Sequence, residues 1–222
     1  MPLLDTMIAD LEIRLDPRGR AQKDPNAFTP GELLHLLNRA QNHVATEFTM
    51  YYVRPLQTIE TAKALDANGA FDLSTLTVKI LEGERGLLAV KLTGGKYCTF
   101  KTDEERRAHE DAVTTFYESE PVHWFVGKNV YVRPFAGKTI DIEYKKQPVP
   151  MAFGSPNTEC ELTEAVQERM VDWAEGLGYD SSDDQRDLVK ADNIFSKVDR
   201  RIYTMNARYG PKTPRVLEVG LL

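Results

Sequence analysis

Between Leu188 and Tyr209 the residues Leu188, Ala191, Phe195, Val198, Ile202, Met205 and Tyr209 recur at alternating gaps of three and four. An apolar repeat of this kind runs down one side of a helix and demands a partner along its whole length. The partner is either an antiparallel helix of the same chain or a helix of another subunit, and the spacing alone leaves both open. Ser182 and Gln185 open this helix. Its acids lie early and Arg200, Arg201 and Arg208 lie late, the order that a helix dipole favours.

Other helical patterns lie at both ends of the chain. Leu4, Met7, Ile8, Leu11 and Leu15 form an apolar stripe over 3–15. A loop rich in proline and charge follows. Thr29, Pro30 and Glu32 then form an N-cap, a first-turn proline and a reciprocal capping residue. Leu33, Leu36, Leu37, Ala40, Val44 and Phe48 run down one face of that helix, which is predicted to end before Pro55. Near the C-terminus, Thr158 and Glu161 suggest a capping box ahead of Leu162, Val166, Met170, Trp173 and Leu177, and "GLGYDSSD" is read as the break that ends this helix.

Between 56 and 150 the period shortens to two. Leu76, Val78 and Ile80 predict a strand, "EGERG" a turn, and Leu88, Val90 and Leu92 the returning strand. "LTGGKY" is a second turn, and Thr102 with Glu105 caps a short charged helix. Val122, Trp124 and Val126, then Val130 and Val132, then Ile140, Ile142 and Tyr144 predict three strands joined by tight turns. Connections this short predict antiparallel neighbours in one meander, with a single face packed on a core.

The 222 residues suffice for one sizeable core or for a domain carrying a smaller insert. No run approaches the roughly 18 apolar residues of a membrane helix. The N-terminus carries acids where a signal peptide carries bases, so the chain is expected in a cytosol. Cys98 and Cys160 stand apart and are read as reduced thiols. The net charge of −6 argues against a protein whose whole surface grips nucleic acid.

Motifs for chemistry are sparse. His35 and His43 are eight residues apart on one helix, too far to share a metal, and His109 sits in a charge run. His123 lies within a strand pattern. No HExxH, zinc-type Cys/His spacing or calcium loop occurs. "LTGGKYC" lacks the spaced first glycine of a phosphate loop and is read as a turn. Trp124, Phe125, Tyr131 and Phe135 suggest a sugar-stacking platform, although alternation sends Trp124 and Phe125 to opposite faces. Neither metal, cofactor nor catalysis is expected.

The order of these parts resembles the head-to-tail adaptor (connector) proteins of tailed bacteriophages. The resemblance is carried by "ELLHLLNRAQ", in Glu32, Leu33, Leu34, Leu37, Asn38, Ala40 and Gln41. It is carried as well by Gly127, Asn129, Val130, Val132 and Pro134, with Lys128 as an extra turn residue, ahead of Ile140, Ile142 and Tyr144. It covers most of 8–209. The hairpin over 75–92 with the following "TGGKYCTF", and the last dozen residues, fall outside it.

The resemblance implies an α+β fold, an antiparallel helical bundle with an inserted small antiparallel β-domain, to which this chain adds an extended C-terminal tail of its own. The parts would be 1–55 and 151–209 for the bundle, 56–150 for the insert and 210–222 for the tail. It implies a non-enzymatic virion protein, made in the host cytoplasm and placed in the neck. There it would form a ring, usually dodecameric, beneath the portal protein. The ring would meet a downstream neck or tail protein and let double-stranded DNA pass without sequence-specific binding. Pro211 and Pro214 hold the tail extended, and Val216, Leu217, Val219, Leu221 and Leu222 make it unusually apolar. It is expected to dock on the portal or a neighbouring subunit, steered by Arg208, Lys212 and Arg215. Two other readings stand beside this one. One is a small carbohydrate-binding β-module with helical flanks. The other is an enzyme built on scattered carboxylates.

Overall fold

The computed structural model describes residues 4–15, 28–81, 86–102, 104–107, 119–135, 137–154, 159–181 and 185–209. The fold is mixed α+β. The chain divides into two compact units. One draws on Met1–Leu56 and Pro148–Gly210, the other on Gln57–Gln147.

The first unit is helical. Its helices are α1 (Leu4–Leu15), α2 (Pro30–Glu47), α3 (Glu164–Asp180) and α4 (Gln185–Tyr209). Helix α3 packs against each of the other three. The α2 capping box forms: Glu32 N–H donates to Thr29 Oγ1 at 3.3 Å and Thr29 N–H to Glu32 Oε2 at 2.7 Å. Leu33, Leu36, Leu37, Ala40 and Val44 are buried on one face. The helix ends at Glu47, before Pro55 as expected, and α4 caps its end. Asn206 of α4 donates from Nδ2 to the Glu47 carbonyl at 2.8 Å, and its Oδ1 accepts the Thr49 N–H at 3.0 Å. This side-chain amide satisfies backbone groups that another helical turn would have used.

Helix α3 departs from expectation at both ends. It begins after Thr163, whose hydroxyl donates to the Tyr52 carbonyl at 3.0 Å instead of capping. Thr158 lies outside the described residues. "GLGYDSSD" does not end the helix at its glycines, because Gly176 and Gly178 lie inside it. A Cβ on Gly176 would sit 2.5 Å from the Phe195 ring, and one on Gly178 would sit 2.6 Å from Leu15. These glycines are contact points for α4 and α1, and helix–helix approach outweighs their roughly 1 kcal/mol propensity penalty.

The second unit holds β1 (Gln57–Ala64), β2 (Ala70–Asp72), β3 (Leu87–Leu92), β4 (Thr99–Phe100), β5 (Val122–Val126), β6 (Asn129–Arg133) and β7 (Thr139–Lys145). They form two sheets, ordered β1-β7-β3 and β2-β6-β5-β4. The expected three-stranded meander is therefore corrected. β5 and β6 pair as a hairpin, but β7 belongs to the other sheet, between β1 and β3. β6 ends at Arg133 in one sheet and β7 begins at Thr139 in the other. The β4–β5 pair is parallel, and its long connection contains the helical turn at 104–107. One core takes Val90, Leu92, Ile140, Ile142 and Tyr144 from the first sheet and Val130 and Val132 from the second.

Two further expectations fail here. Residues 76–80 are not a strand. Asp72 caps a short 3-10 turn over Leu73–Thr75, and only Ile80 bridges to β7's continuation, at Lys146. Leu76 and Ile80 are buried, whereas Val78 is 37% exposed. The one-sided packing rule holds for β7, where buried residues alternate, and fails in β5, where Val122, His123 and Trp124 are buried in succession. No helix among the described residues is long and apolar enough to cross a membrane.

Candidate assembly surfaces

The apolar repeat of α4 faces α3 of the same chain. Ala191, Val198 and Ile202 are buried, Phe195 and Met205 half-buried. Leu188, at the start of the repeat, is 39% exposed. The Tyr209 side chain lies outside the described residues. The seam is completed by an aromatic layer through three helices. His43 of α2 stacks on Trp173 of α3 at 3.7 Å between ring centroids, and Trp173 meets Phe195 of α4 at 4.4 Å. His43 Nε2 also lies 3.9 Å from Asp199. Tyr52 donates its hydroxyl to the Met205 carbonyl at 3.3 Å.

The polar residues of "ELLHLLNRAQ" have structural tasks. Asn38 faces the backbone of Met151, donating to its carbonyl at 3.0 Å and accepting its N–H at 2.8 Å. This arrangement copies a strand pair with a side chain. Gln41 is buried, with Nε2 at 3.7 Å from Cys160 Sγ. Both residues hold the segment that leads into α3. Leu33, Leu37 and Ala40 are core, and Leu34 is half-buried. In the β unit, Gly127 adopts φ +60° at the β5–β6 turn, and the Lys128 carbonyl accepts the Leu73 N–H at 3.0 Å.

Charge is organised around Asp172 on α3. It accepts from Arg14 of α1 at 2.8 Å, from Arg169 at 2.7 Å and from Arg201 of α4 at 3.4 Å. In the β unit burial works against ionisation of Glu60. Hydrogen bonds from Lys63, Tyr144 and Thr77 overcome it and pull its pKa down to about 2. Burial and the bond to Glu60 push Tyr144 up to about 12.

Among the described residues no group of three or more His, Cys, Asp or Glu side chains is placed to hold a metal ion. His35 is exposed and His109 lies outside the described residues. His123 is buried, with Nδ1 3.1 Å from the Cys98 carbonyl and no partner for Nε2 among the described residues. Burial lowers its pKa to about 4, against the opposing bond to Cys98. Burial likewise pushes the Cys98 thiol up to about 12 and Cys160 up to about 11, which leaves both as neutral thiols. "LTGGKYC" is a tight turn after β3, with Leu92 N–H donating to the Lys96 carbonyl at 3.0 Å. Trp124 is only 4% exposed. Tyr131 stacks on it at 5.7 Å, and the guanidinium of Arg133 lies 5.4 Å from the ring, between it and the Phe135 ring at 4.3 Å. It offers no open face to a sugar.

Of the residues expected to dock, Lys212, Arg215, Val216, Leu217, Val219, Leu221 and Leu222 lie outside the described residues. Arg208 is exposed on the last turn of α4. In the sequence the late arginines of α4 suit its dipole, and Arg208 also enters the expected steering of the tail. The structure adds that Lys197, Arg200, Thr204 and Arg208 fall on one outward stripe, a pattern legible in the gaps of three and four once the buried face is known. No family model matches this chain, and no curated protein matches its sequence.

Proposed function

We propose that the chain is a head-to-tail adaptor of a tailed bacteriophage, a structural virion protein that forms a ring beneath the portal. The observation that carries the proposal is the order of parts. Paired N-terminal helices, a β-rich segment and paired C-terminal helices follow one another, and both ends of the chain contribute to one helical unit. The finer reading is an antiparallel bundle interrupted by an inserted β-domain, with 210–222 as a docking tail. The partners are the portal protein, further copies of the chain, a downstream neck or tail protein, and DNA in the lumen. Two facts support a scaffold role. The residues of both resembling segments are spent on caps, core and backbone clamps, and the tryptophan of the aromatic cluster is covered. The decisive experiment is a nonsense mutation in the gene, read by electron microscopy of the lysate. DNA-filled heads without attached tails, restored by the gene in trans, are the expected outcome. Tailed, infectious particles lacking the protein would overturn the reading.

A further inference from the structure

The outward side of α4 differs in charge from the chain as a whole. Ala191, Val198 and Ile202 set the inward direction of the helix. Lys197, Arg200, Thr204 and Arg208 fall opposite them, at successive gaps of three, four and four, and all four are exposed. Lys197, Arg200 and Arg208 make no ion pair among the described residues. Arg201, beside them, is drawn aside by Asp172. The one carboxylate in this half of the helix, Asp199, points toward His43 on the flank. The stripe thus carries three spaced cations and no acid, on a chain of net charge −6. From Lys197 to Arg208 it is about 16 Å long at 1.5 Å per residue.

We infer that this stripe is a contact surface for the sugar-phosphate backbone of duplex DNA. The residues between the cations decide the class of partner. Thr204 and Ala207 are small and leave room for a groove wall to approach. Tyr203, 76% exposed, adds a hydroxyl donor at the stripe's edge. A protein partner would call for an apolar centre to the patch, and the stripe has none. A phosphate backbone needs spaced cations and hydroxyls and nothing apolar. The choice of DNA among polyanions rests on the adaptor reading, in which the chain surrounds a genome. The negative charge elsewhere would then confine contact to this stripe. A surface of only three cations per subunit would hold DNA in register without immobilising it.

The test is fluorescence anisotropy of a labelled 30-base-pair duplex with the purified full chain, at up to about 200 μM, the range of non-specific binding. Binding at 50 mM salt is expected to weaken by about 40-fold at 200 mM, from a log–log slope of about −2.7 for three phosphate contacts. The variant Lys197→Glu/Arg200→Glu/Arg208→Glu should lose binding while keeping its melting temperature, because all three side chains are solvent-exposed. Lys96→Glu, on the β unit, should bind as the parent does. No binding at 50 mM salt, or equal loss in the Lys96→Glu control, would overturn the inference. The assay needs no virion. Flat anisotropy beside tailless nonsense particles would sink this inference and leave the adaptor reading standing. Stripe-dependent binding beside tailed particles would do the reverse.

Discussion

The two units differ in what holds each of them together internally. In the β unit one apolar core is shared by two sheets, with Ile140, Ile142 and Tyr144 of β7 packed among Val130 and Val132 of β6. That burial is non-directional, and the clamps beside it, such as Asp141 accepting the Ala62 N–H at 3.0 Å, lie on the exposed side. In the helical unit, side chains distant in sequence bind backbone groups at specific points. Asn206 closes the end of α2, Asn38 clamps Met151, and Tyr179 donates to the Arg14 carbonyl at the end of α1. The difference shows why a polar residue can be as structural as a leucine. Each of these bonds fills a backbone group that the helix geometry leaves open.

One tryptophan lies in each unit, Trp124 in β5 and Trp173 in α3, and they are the only two in the chain. Variants Trp173→Phe and Trp124→Phe therefore give separate fluorescence reporters. The largest effect is expected of Ile142→Ala, which empties the centre of the β core. It should cost about 3–4 kcal/mol, seen as an early transition of Trp124 with little change in Trp173. An equal shift in both signals would mean that the units unfold as one block, and the distinction would vanish.

Acid should produce the next largest effect, again on the β unit. The folded pKa of His123 is depressed to about 4 from 6.5. The unfolded chain therefore binds the extra proton first, and stability is lost as pH falls from about 6.5 toward 4. The ceiling of that loss is about 3 kcal/mol. Glu60 acts lower, because its stabilising contribution is present above 4.5 and disappears as pH falls toward about 2. Denaturant melts from pH 7 to pH 4 should show the Trp124 midpoint falling, and His123→Phe should flatten that slope. A slope that survives the substitution would remove His123 from the account.

The helical unit should respond more weakly. Asn206→Ala should lower the helical unit's stability by about 1–2 kcal/mol, the range for two partly exposed hydrogen bonds. The Trp173 midpoint should report it. No change there would reduce the clamp to a bystander and leave packing alone to explain both units.

Local features follow from the order of residues alone. Helix faces, the Thr29–Glu32 capping box and the α4 repeat were all legible, because a helix satisfies its backbone within one segment and its period marks its buried side. The candidate stripe on α4 was readable from the same period, once the buried face was known. Strand partnership was not legible. Residues 122–145 read as one meander because short turns favour neighbours, yet β7 pairs with β1 and β3, and that choice depends on segments up to 88 residues away. Residues 76–80 alternate like a strand, but Asp72 and Glu60 recruit their start into a turn. Gly176 and Gly178 read locally as a break, whereas Phe195 and Leu15 occupy the space that side chains there would take. Each of these points is settled by groups that meet across the chain and leave no local period.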